Sequence, residues 1–556
     1  MSTVRYPIAG VTYHSAEEKD RHCRSGAWIW STFGDALRAA AAEAPKQVYI
    51  ASGDSEWTFA ALDQASESIA ASLIDMGLAP GSRAIFQVGS VAELVSALFG
   101  CFKAGVVPVC TLPQYRELEI GQLARLSGAT AYFVEADYSP SFDLAAFARR
   151  MQGEYPQLTR LIILRGEAAD GEFTLSEMSS RYPADIARAR TAAVDPHPGD
   201  VAIFQLSGGS TGIPKIIPRM HADYLGAAAA WNARHRLTSE DVGLWTLPMI
   251  HNAGTILMLM PSLLQRRKLV MLPRFELEEF LKAIEQYRVT YTGSIGPVAP
   301  RVIEYKDIAK CDLSSLRMFF TLSRADALEA HTHVPSQQMY GITEGMLMAS
   351  LPDSPVALRY ETLGWPTGIG DEVRLLDPGT DRQIDAGKVG EFCFRGPHTL
   401  KAYFNNPEAT NESFTRDGFF RSGDLMRRVV IDGQDGYVFE GRLKDNINRG
   451  GEKISAEEVE LFIVRHPDVN DARVVAMPDP MLGERACAFL IVREGHQAPT
   501  VASLGVFLQK EGLAKFKLPE RIEIVTEFPV TRVGKIDKQA MRIIIAQKLA
   551  REAEPV

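Results

Sequence analysis

The chain has 556 residues, several times the roughly 100–200 of a typical domain, so two or more packed units are expected. Hydrophobic residues make up 46% and charged residues 23%, with Gly and Pro near average usage, which excludes the disordered and fibrous classes. The formal net charge is -9 with both signs interspersed, so no basic stripe offers itself to phosphates and no nucleic-acid partner is expected.

Taken in chain order, Met1 to Asp20 lacks a basic region followed by an uninterrupted apolar stretch and does not read as a secretory signal. Thr32 to Ala44 predicts an amphipathic helix capped by Thr32 with Asp35 in its first turn, and Gln47 to Ser52 alternates like a strand. Helix and strand then trade places. Ala60 to Met76 and Val91 to Ala104 predict helices; Arg83 to Val88, Val106 to Thr111, Thr130 to Val134 and Arg160 to Leu164 predict strands. That alternation predicts an α/β protein of parallel sheets covered by helices. The most apolar stretches, Val91 to Cys110 and Ile256 to Leu264, are too short or interrupted to span a bilayer, so a cytoplasmic chain without a membrane partner is expected. The six cysteines form no CxxC pair, which argues against a zinc site and a disulfide framework. The texture changes near Gly441: a Gly- and Asp-rich hairpin, Asp417 to Gly436, precedes it, and Ala456 to Arg465, Ala472 to Met477 and Ala486 to Val492 predict a compact helix-and-strand unit beyond it. A domain boundary is placed at Arg442 to Asp445.

Chemistry concentrates at Leu206-Ser-Gly-Gly-Ser-Thr-Gly-Ile-Pro-Lys215, which follows the strand-like run Val201 to Phe204. Gly208, Gly209 and Gly212 let backbone amides approach an anion, Ser207, Ser210 and Thr211 offer hydroxyls, and Lys215 offers a compact positive charge, all suited to a triphosphate. Pro214 stands where GxxxxGK[ST] requires Gly, so this is not the nucleotide triphosphatase loop, and a Gly- and Ser-rich surface turn is the plain alternative.

The loop resembles the signature of the superfamily of acyl-CoA synthetases, non-ribosomal peptide adenylation domains and luciferases. Tyr340-Gly-Ile-Thr-Glu344 is similar to its second core motif, Ser422-Gly-Asp-Leu425 to its ribose-binding element, Gly441-Arg-Leu-Lys-Asp445 to its hinge, and Pro529-Val-Thr-Arg-Val-Gly-Lys535 to its C-terminal lysine motif. These motifs occur in order across most of the chain, a far more specific signal than any one of them. The resemblance implies a large N-terminal domain, 1–441, of parallel-rich sheets covered by helices with a small β-barrel-like part; a hinge at 442–445; and a small mobile α+β C-terminal domain, 446–556. It implies ATP and Mg2+ as cofactors. Glu344 would hold the magnesium ion, Thr343 would donate to a phosphate, Tyr340 would stack on adenine, and Gly341 would border nucleotide and acid. Asp424, with two acceptor oxygens, would take both ribose hydroxyls, and Arg442 would contact the nucleotide. Lys535 would bridge the acid and the α-phosphate; Lys444 would be the pivot on which the small domain turns, bringing Gly450 and Gly451 to line a thiol tunnel in the second half-reaction.

His251-Asn252, after Leu247-Pro248, sits where the family's acid pocket begins, and Asp445 to Lys453, Trp28 and Thr32 to Asp35 resemble the aryl-acid activators for 2,3-dihydroxybenzoate and salicylate. In that subgroup the Asn matching Asn252 contacts the acid's ortho-hydroxyl or carboxylate with His251 beside it, although a satisfied core histidine is the plain reading of His251. The expected reaction is therefore ATP-dependent activation of an aryl acid to the acyl-adenylate, with release of pyrophosphate and transfer to a phosphopantetheine thiol, on an aryl carrier protein or CoA. Salicylate is favoured, because Ala253-Gly254-Thr255 replaces the bulkier text of dihydroxybenzoate enzymes. Leu322-Ser323-Arg324 replaces the relatives' Gly-Gly-Ala turn against the adenine, with a shortened helix after it. That departure keeps open a non-catalytic binding protein on the same fold, beside a CoA ligase for another aromatic or aliphatic acid. An amino-acid activator would place an Asp near the start of the pocket, where this chain has His251-Asn252. With Val556 soon after the lysine motif, any carrier is expected as a separate protein, docking where Lys515 and Lys517 meet an acidic surface.

Overall fold

The computed structural model describes residues 3–53, 55–207, 214–295, 298–449, 452–479, 482–511, 513, 515–531 and 535–553. The chain forms two compact units, each built from discontinuous pieces. One comprises Met1–Glu372, Phe394–Phe414 and Ile431–Gly436; the other comprises Val373–Cys393, Thr415–Val430 and Tyr437–Val556.

In the first unit, a seven-stranded sheet runs in the order Phe173–Thr174, Arg160–Leu164, Ala131–Glu135, Arg83–Gln87, Val107–Cys110, Val201–Leu206, Ile216–Met220. All neighbours are parallel except the last two strands, which pair antiparallel from Val201↔Met220 to Leu206↔Ile216. Every residue of Val107–Cys110 and Val201–Leu206 is buried. Such continuous apolar runs suit parallel strands covered on both faces, which explains why alternation is absent from them. A nine-stranded sheet is parallel through its middle, from Val48–Ser52 across Leu269–Met271, Gly243–Trp245, Tyr291–Gly293 and Met318–Thr321 to Ser336–Gly341, and antiparallel at both ends.

The predicted helices form where the caps allow them. Thr32 caps Phe33–Glu43 by accepting from the Asp35 amide at 3.0 Å, and Ala92–Ala104 stops on Gly105, whose φ of 68° is the left-handed conformation that glycine adopts without penalty. Between Phe59–Asp75 and Ala92–Ala104 lies a buried charge cluster: Lys103 Nζ is 2.5 Å from Asp63 Oδ1 and 3.1 Å from Glu67 Oε1, and Arg38 Nε reaches Glu67 at 2.7 Å. No helix among the described residues is long and apolar enough to cross a membrane.

The second unit holds nearly all of a four-stranded sheet, Glu372–Leu376, Val389–Arg395, Phe420–Ile431 and Gln434–Arg442. It also holds a five-stranded sheet in which Gly483–Val492 lies between Val469–Asp479, antiparallel, and Arg521–Ile524, parallel. Helix Ala456–Ile463 packs Val459 and Ile463 against Val474, Ala488 and Leu490; on the opposite face Met541 and Ile545 of Lys538–Ala553 meet Val475, Cys487 and Phe489. Residues 442–445 lie within this unit, where Arg542 Nη2 holds Asp445 Oδ1 at 3.0 Å.

Because removing one partner leaves buried charges uncompensated, Lys103→Met should cost about 3–5 kcal/mol in urea unfolding; a loss within error of zero would show that Asp63 and Glu67 are satisfied without it.

Candidate functional site

Strands Val201–Leu206 and Ile216–Met220 deliver the two ends of the Gly-rich loop side by side. Ser207 N donates to Lys215 O at 2.9 Å, and Lys215 N donates back to Ser207 Oγ at 3.0 Å. Gly208, Gly209, Ser210, Thr211 and Gly212 lie outside the described residues. The Lys215 ammonium stands 4.4 Å from the centroid of the Tyr403 ring, a distance at which a cation is attracted by the ring face. The Tyr403 hydroxyl in turn donates to Glu344 Oε1 at 3.0 Å. Burial, reinforced by the Glu344 charge, holds the Tyr403 phenol far above its ordinary range, so it remains a donor.

Glu344 reaches this position because its motif is the turn of a hairpin. Tyr340 pairs with Met348 and Gly341 with Leu347, Ile342 N donates to Met346 O at 3.1 Å, and Leu400 N donates to Glu344 O at 2.8 Å. Gly345 has a φ of 121° and a Cβ there would lie 1.8 Å from His398 O, so only glycine lets the turn press against the segment that carries Tyr403. A carboxylate is the kind of oxygen ligand that a hard cation such as magnesium takes beside phosphate oxygens and water, and Glu344 fits that role by its chemistry. Among the described residues no group of three or more His, Cys, Asp or Glu side chains is placed to hold a metal, so phosphates would bring most of the ligands.

A second chain of contacts joins the same hairpin to the expected acid pocket. Thr343 is buried, and its carbonyl accepts from Arg219 Nη1 at 3.1 Å. Arg219, 1% exposed, pairs through Nη2 with Asp223 at 3.2 Å and lies with its guanidinium 4.9 Å from the Tyr224 ring centroid. Burial raises the Asp223 carboxyl to about 6 against the pull of Arg219. The Tyr224 hydroxyl donates to Asn252 Oδ1. His251 accepts the Ala253 amide at Nδ1 at 3.2 Å, which puts the proton of the neutral ring on Nε2 and caps the short helix Asn252–Gly254. The helix then widens into a π-type turn over Thr255–Leu259 before Met260–Gln265, where Pro261 supplies no amide for a regular ladder. His251 is half-buried, and it caps rather than fills the core.

In the second unit, Asp424 is 3% exposed, its amide donates to Ser422 Oγ at 3.0 Å, and Arg442 Nε approaches its Oδ1 at 3.1 Å. The two residues expected at the nucleotide are thus brought together. Lys535 pairs with Thr531: Thr531 N donates to Lys535 O at 2.6 Å and Lys535 N to Thr531 Oγ1 at 3.2 Å, with Val530 bridged to Ile536. Gly450, Gly451 and the Lys444 side chain lie outside the described residues. Of the two lysines expected to dock a carrier, Lys517 is clasped by both oxygens of Glu458 at 2.6 Å, while Lys515 is exposed. Leu322-Ser323-Arg324 forms a turn in which Thr321 Oγ1 donates to Ser323 O at 2.9 Å, and Arg324, with a φ of 59°, leads into the eight-residue helix Ala325–Thr332.

The ordered motifs, the paired sheets and the Lys215, Tyr403 and Glu344 contacts make up the candidate site, and the comparison of the whole chain with known proteins decides its family. The AMP-binding enzyme model matches residues 37–404, and the model of the AMP-binding enzyme C-terminal domain matches 458–535. The chain belongs to the AMP-binding enzyme family. It is 36% identical over 554 residues to the 2,3-dihydroxybenzoate-AMP ligase of Bacillus subtilis, covering 98% of this chain and 99% of that one. It is 37% identical over 546 residues to pyochelin synthase PchD of Pseudomonas aeruginosa strain UCBPP-PA14, covering 96% and 95%. Among solved structures, the apo form of Mycobacterium smegmatis MbtA is 32% identical with a TM-score of 0.72, covering 96% of this chain and 99% of that one. The resemblance read from the motifs and the expected α/β fold are both borne out, and this AMP-binding enzyme is a ligase of the adenylate-forming type. Tyr403, Arg219 and Tyr224 contact the candidate residues Glu344, Thr343 and Asn252, and sequence reasoning did not single them out. Tyr403 precedes Asn406-Pro407, a helix start, and nothing in that text separates a site tyrosine from a structural one.

Tyr403→Phe should raise the magnesium concentration needed for half-maximal ATP binding about tenfold, the usual effect of removing a partner that orients a metal ligand. Tyr403→Ala should also weaken ATP binding itself by uncovering Lys215. Titration calorimetry giving one affinity for all three proteins would separate Tyr403 from the nucleotide site.

Proposed function

We propose that this enzyme activates an ortho-hydroxylated aryl acid, salicylate foremost and 2,3-dihydroxybenzoate as the alternative, and passes the acyl group to a phosphopantetheine thiol. The observation that carries this reading is the acid pocket's entrance: a buried Asn252, held by Tyr224, where an amino-acid activator would need a carboxylate. Full-length similarity to a 2,3-dihydroxybenzoate-AMP ligase and to the salicyl-AMP ligase / salicyl-S-ArCP synthetase of Mycobacterium tuberculosis, 32% identical, supports the same class.

In the first half-reaction a carboxylate oxygen attacks the α-phosphorus, the bond to the β-phosphate oxygen breaks, and pyrophosphate leaves. Two anions must be brought in line, so positioning and charge neutralisation dominate. Lys215, Thr343 and the Gly-rich loop bind the phosphates, and Glu344 would hold the magnesium ion, whose charge would screen the phosphate oxygens. Tyr340 and Gly341 form the adenine wall, Asp424 takes the ribose and Arg442 the nucleotide. Lys535 places its ammonium between carboxylate and α-phosphate. In the second half-reaction the thiolate attacks the acyl carbon and AMP departs. Residues 442–445 are the hinge, Lys444 the pivot and Gly450-Gly451 the thiol path. The acceptor is a separate carrier protein or CoA. Asp424 reaches Arg442 as a preformed ion pair, so the ribose takes over a carboxylate already held in place.

The test is acid-dependent exchange of pyrophosphate into ATP with salicylate, 2,3-dihydroxybenzoate, benzoate, a medium-chain fatty acid and several amino acids. Selective exchange with an ortho-hydroxylated aryl acid is expected, and Lys535→Ala should reduce it about 100-fold or more. Preference for a fatty or amino acid, or an unimpaired Lys535→Ala enzyme, would overturn the assignment.

A further inference from the structure

Asn252 is the pocket residue whose chemistry is ambiguous, because its amide has an acceptor end and a donor end and either could face an acid. The surroundings settle the ambiguity. The Tyr224 hydroxyl donates to Oδ1, so the acceptor end is taken. An amide oxygen carries no hydrogen, so the phenolic proton in this contact points to Asn252. Burial lifts the Tyr224 phenol far above its ordinary range, so that proton is retained at any working pH. The ring is held in turn: Tyr224 is 1% exposed, lies beneath the Arg219 guanidinium at 4.9 Å, and is 6.2 Å from Phe33, nearly parallel to it. Among the described residues no partner takes up the Asn252 Nδ2 donors, and that nitrogen is not sealed in the interior.

We propose that Tyr224 is a positioning residue that fixes Asn252 with its Nδ2 donors toward the acid, so the pocket selects ortho substituents that accept a hydrogen bond and discriminates against those that only donate. The inference rests on the aryl-acid reading above. In salicylate the phenolic proton is drawn to the adjacent carboxylate, and the phenolic oxygen is left as an acceptor for Nδ2. In anthranilate the amino lone pair is delocalised into the ring and the group offers N–H donors, which would meet the Nδ2 donors head on and leave polar groups unpaired. Arg219 has a second part in this arrangement, since the cation that steadies Tyr224 also holds the Thr343 carbonyl, tying the acid pocket to the phosphate-binding hairpin.

The experiment compares kcat/KM in pyrophosphate exchange for salicylate, anthranilate and benzoate, with calorimetric binding of the corresponding acyl-sulfamoyl adenosines as a readout free of turnover. The wild-type enzyme should prefer salicylate to anthranilate. Tyr224→Phe, which frees the amide to turn over, should lower that ratio about tenfold or more, the worth of one hydrogen bond, and lower salicylate more than benzoate. In an Asn252→Ala background, which should bring salicylate and benzoate level, adding Tyr224→Phe should leave the ratio where it is. An equal fall for all three acids on Tyr224→Phe, or an unchanged ratio, would overturn the positioning role while the aryl-acid assignment stands. A wild-type enzyme that binds none of the aryl adenylate analogues but activates another class of acid would overturn both.

Discussion

A guanidinium sealed from water is the constraint around which the first unit's site is arranged. A buried cation is tolerated only where neighbours replace its hydration. Three neighbours do so from different elements: Asp223 from the helix that begins at His221, the Thr343 carbonyl from the hairpin turn, and the Tyr224 ring face. Each is fixed by the need to satisfy the same charge. The turn that carries Glu344 and the helix that carries Tyr224 therefore hold a defined relation before any substrate arrives, which is the preorganisation that electrostatic catalysis requires.

Tyr403 has a comparable place for the nucleotide. A lysine and a carboxylate close to one another would neutralise each other; with a tyrosine between them, Lys215 rests on the ring and Glu344 on the hydroxyl. The hairpin and the 398–403 segment approach closely only because position 345 has no side chain, so the glycine after Glu344 belongs to the site as much as the carboxylate does.

Much of this was legible in the sequence, and what was not has a physical reason. Period and capping place Thr32 and the helix after it, and alternation of elements gives the parallel sheets, because these signals are local. The ordered motifs single out Lys215, Thr343, Glu344, Asp424, Arg442 and Lys535 as candidates because each sits in a short string of small and turn-forming residues with few alternative uses. Tyr224 and Tyr403 escape that reading. Tyr224 meets Asn252 across 28 residues and Tyr403 meets Glu344 across 59, and neither tyrosine is flanked by text that differs from an ordinary buried aromatic. Arg219 meets Thr343 across 124 residues. The two units, each collecting pieces from several stretches of chain, are likewise invisible to a reading that looks for one change of texture.

That discontinuity bears on how the molecule is made. The first unit needs Phe394–Phe414 and Ile431–Gly436, and between them the ribosome must deliver strands that belong to the other unit. A nascent chain that has emerged only as far as Glu372 has Lys215 and Glu344 but not the tyrosine that separates them. During synthesis Lys215 and Glu344 are therefore both present before Tyr403, the residue that each of them contacts, has been made.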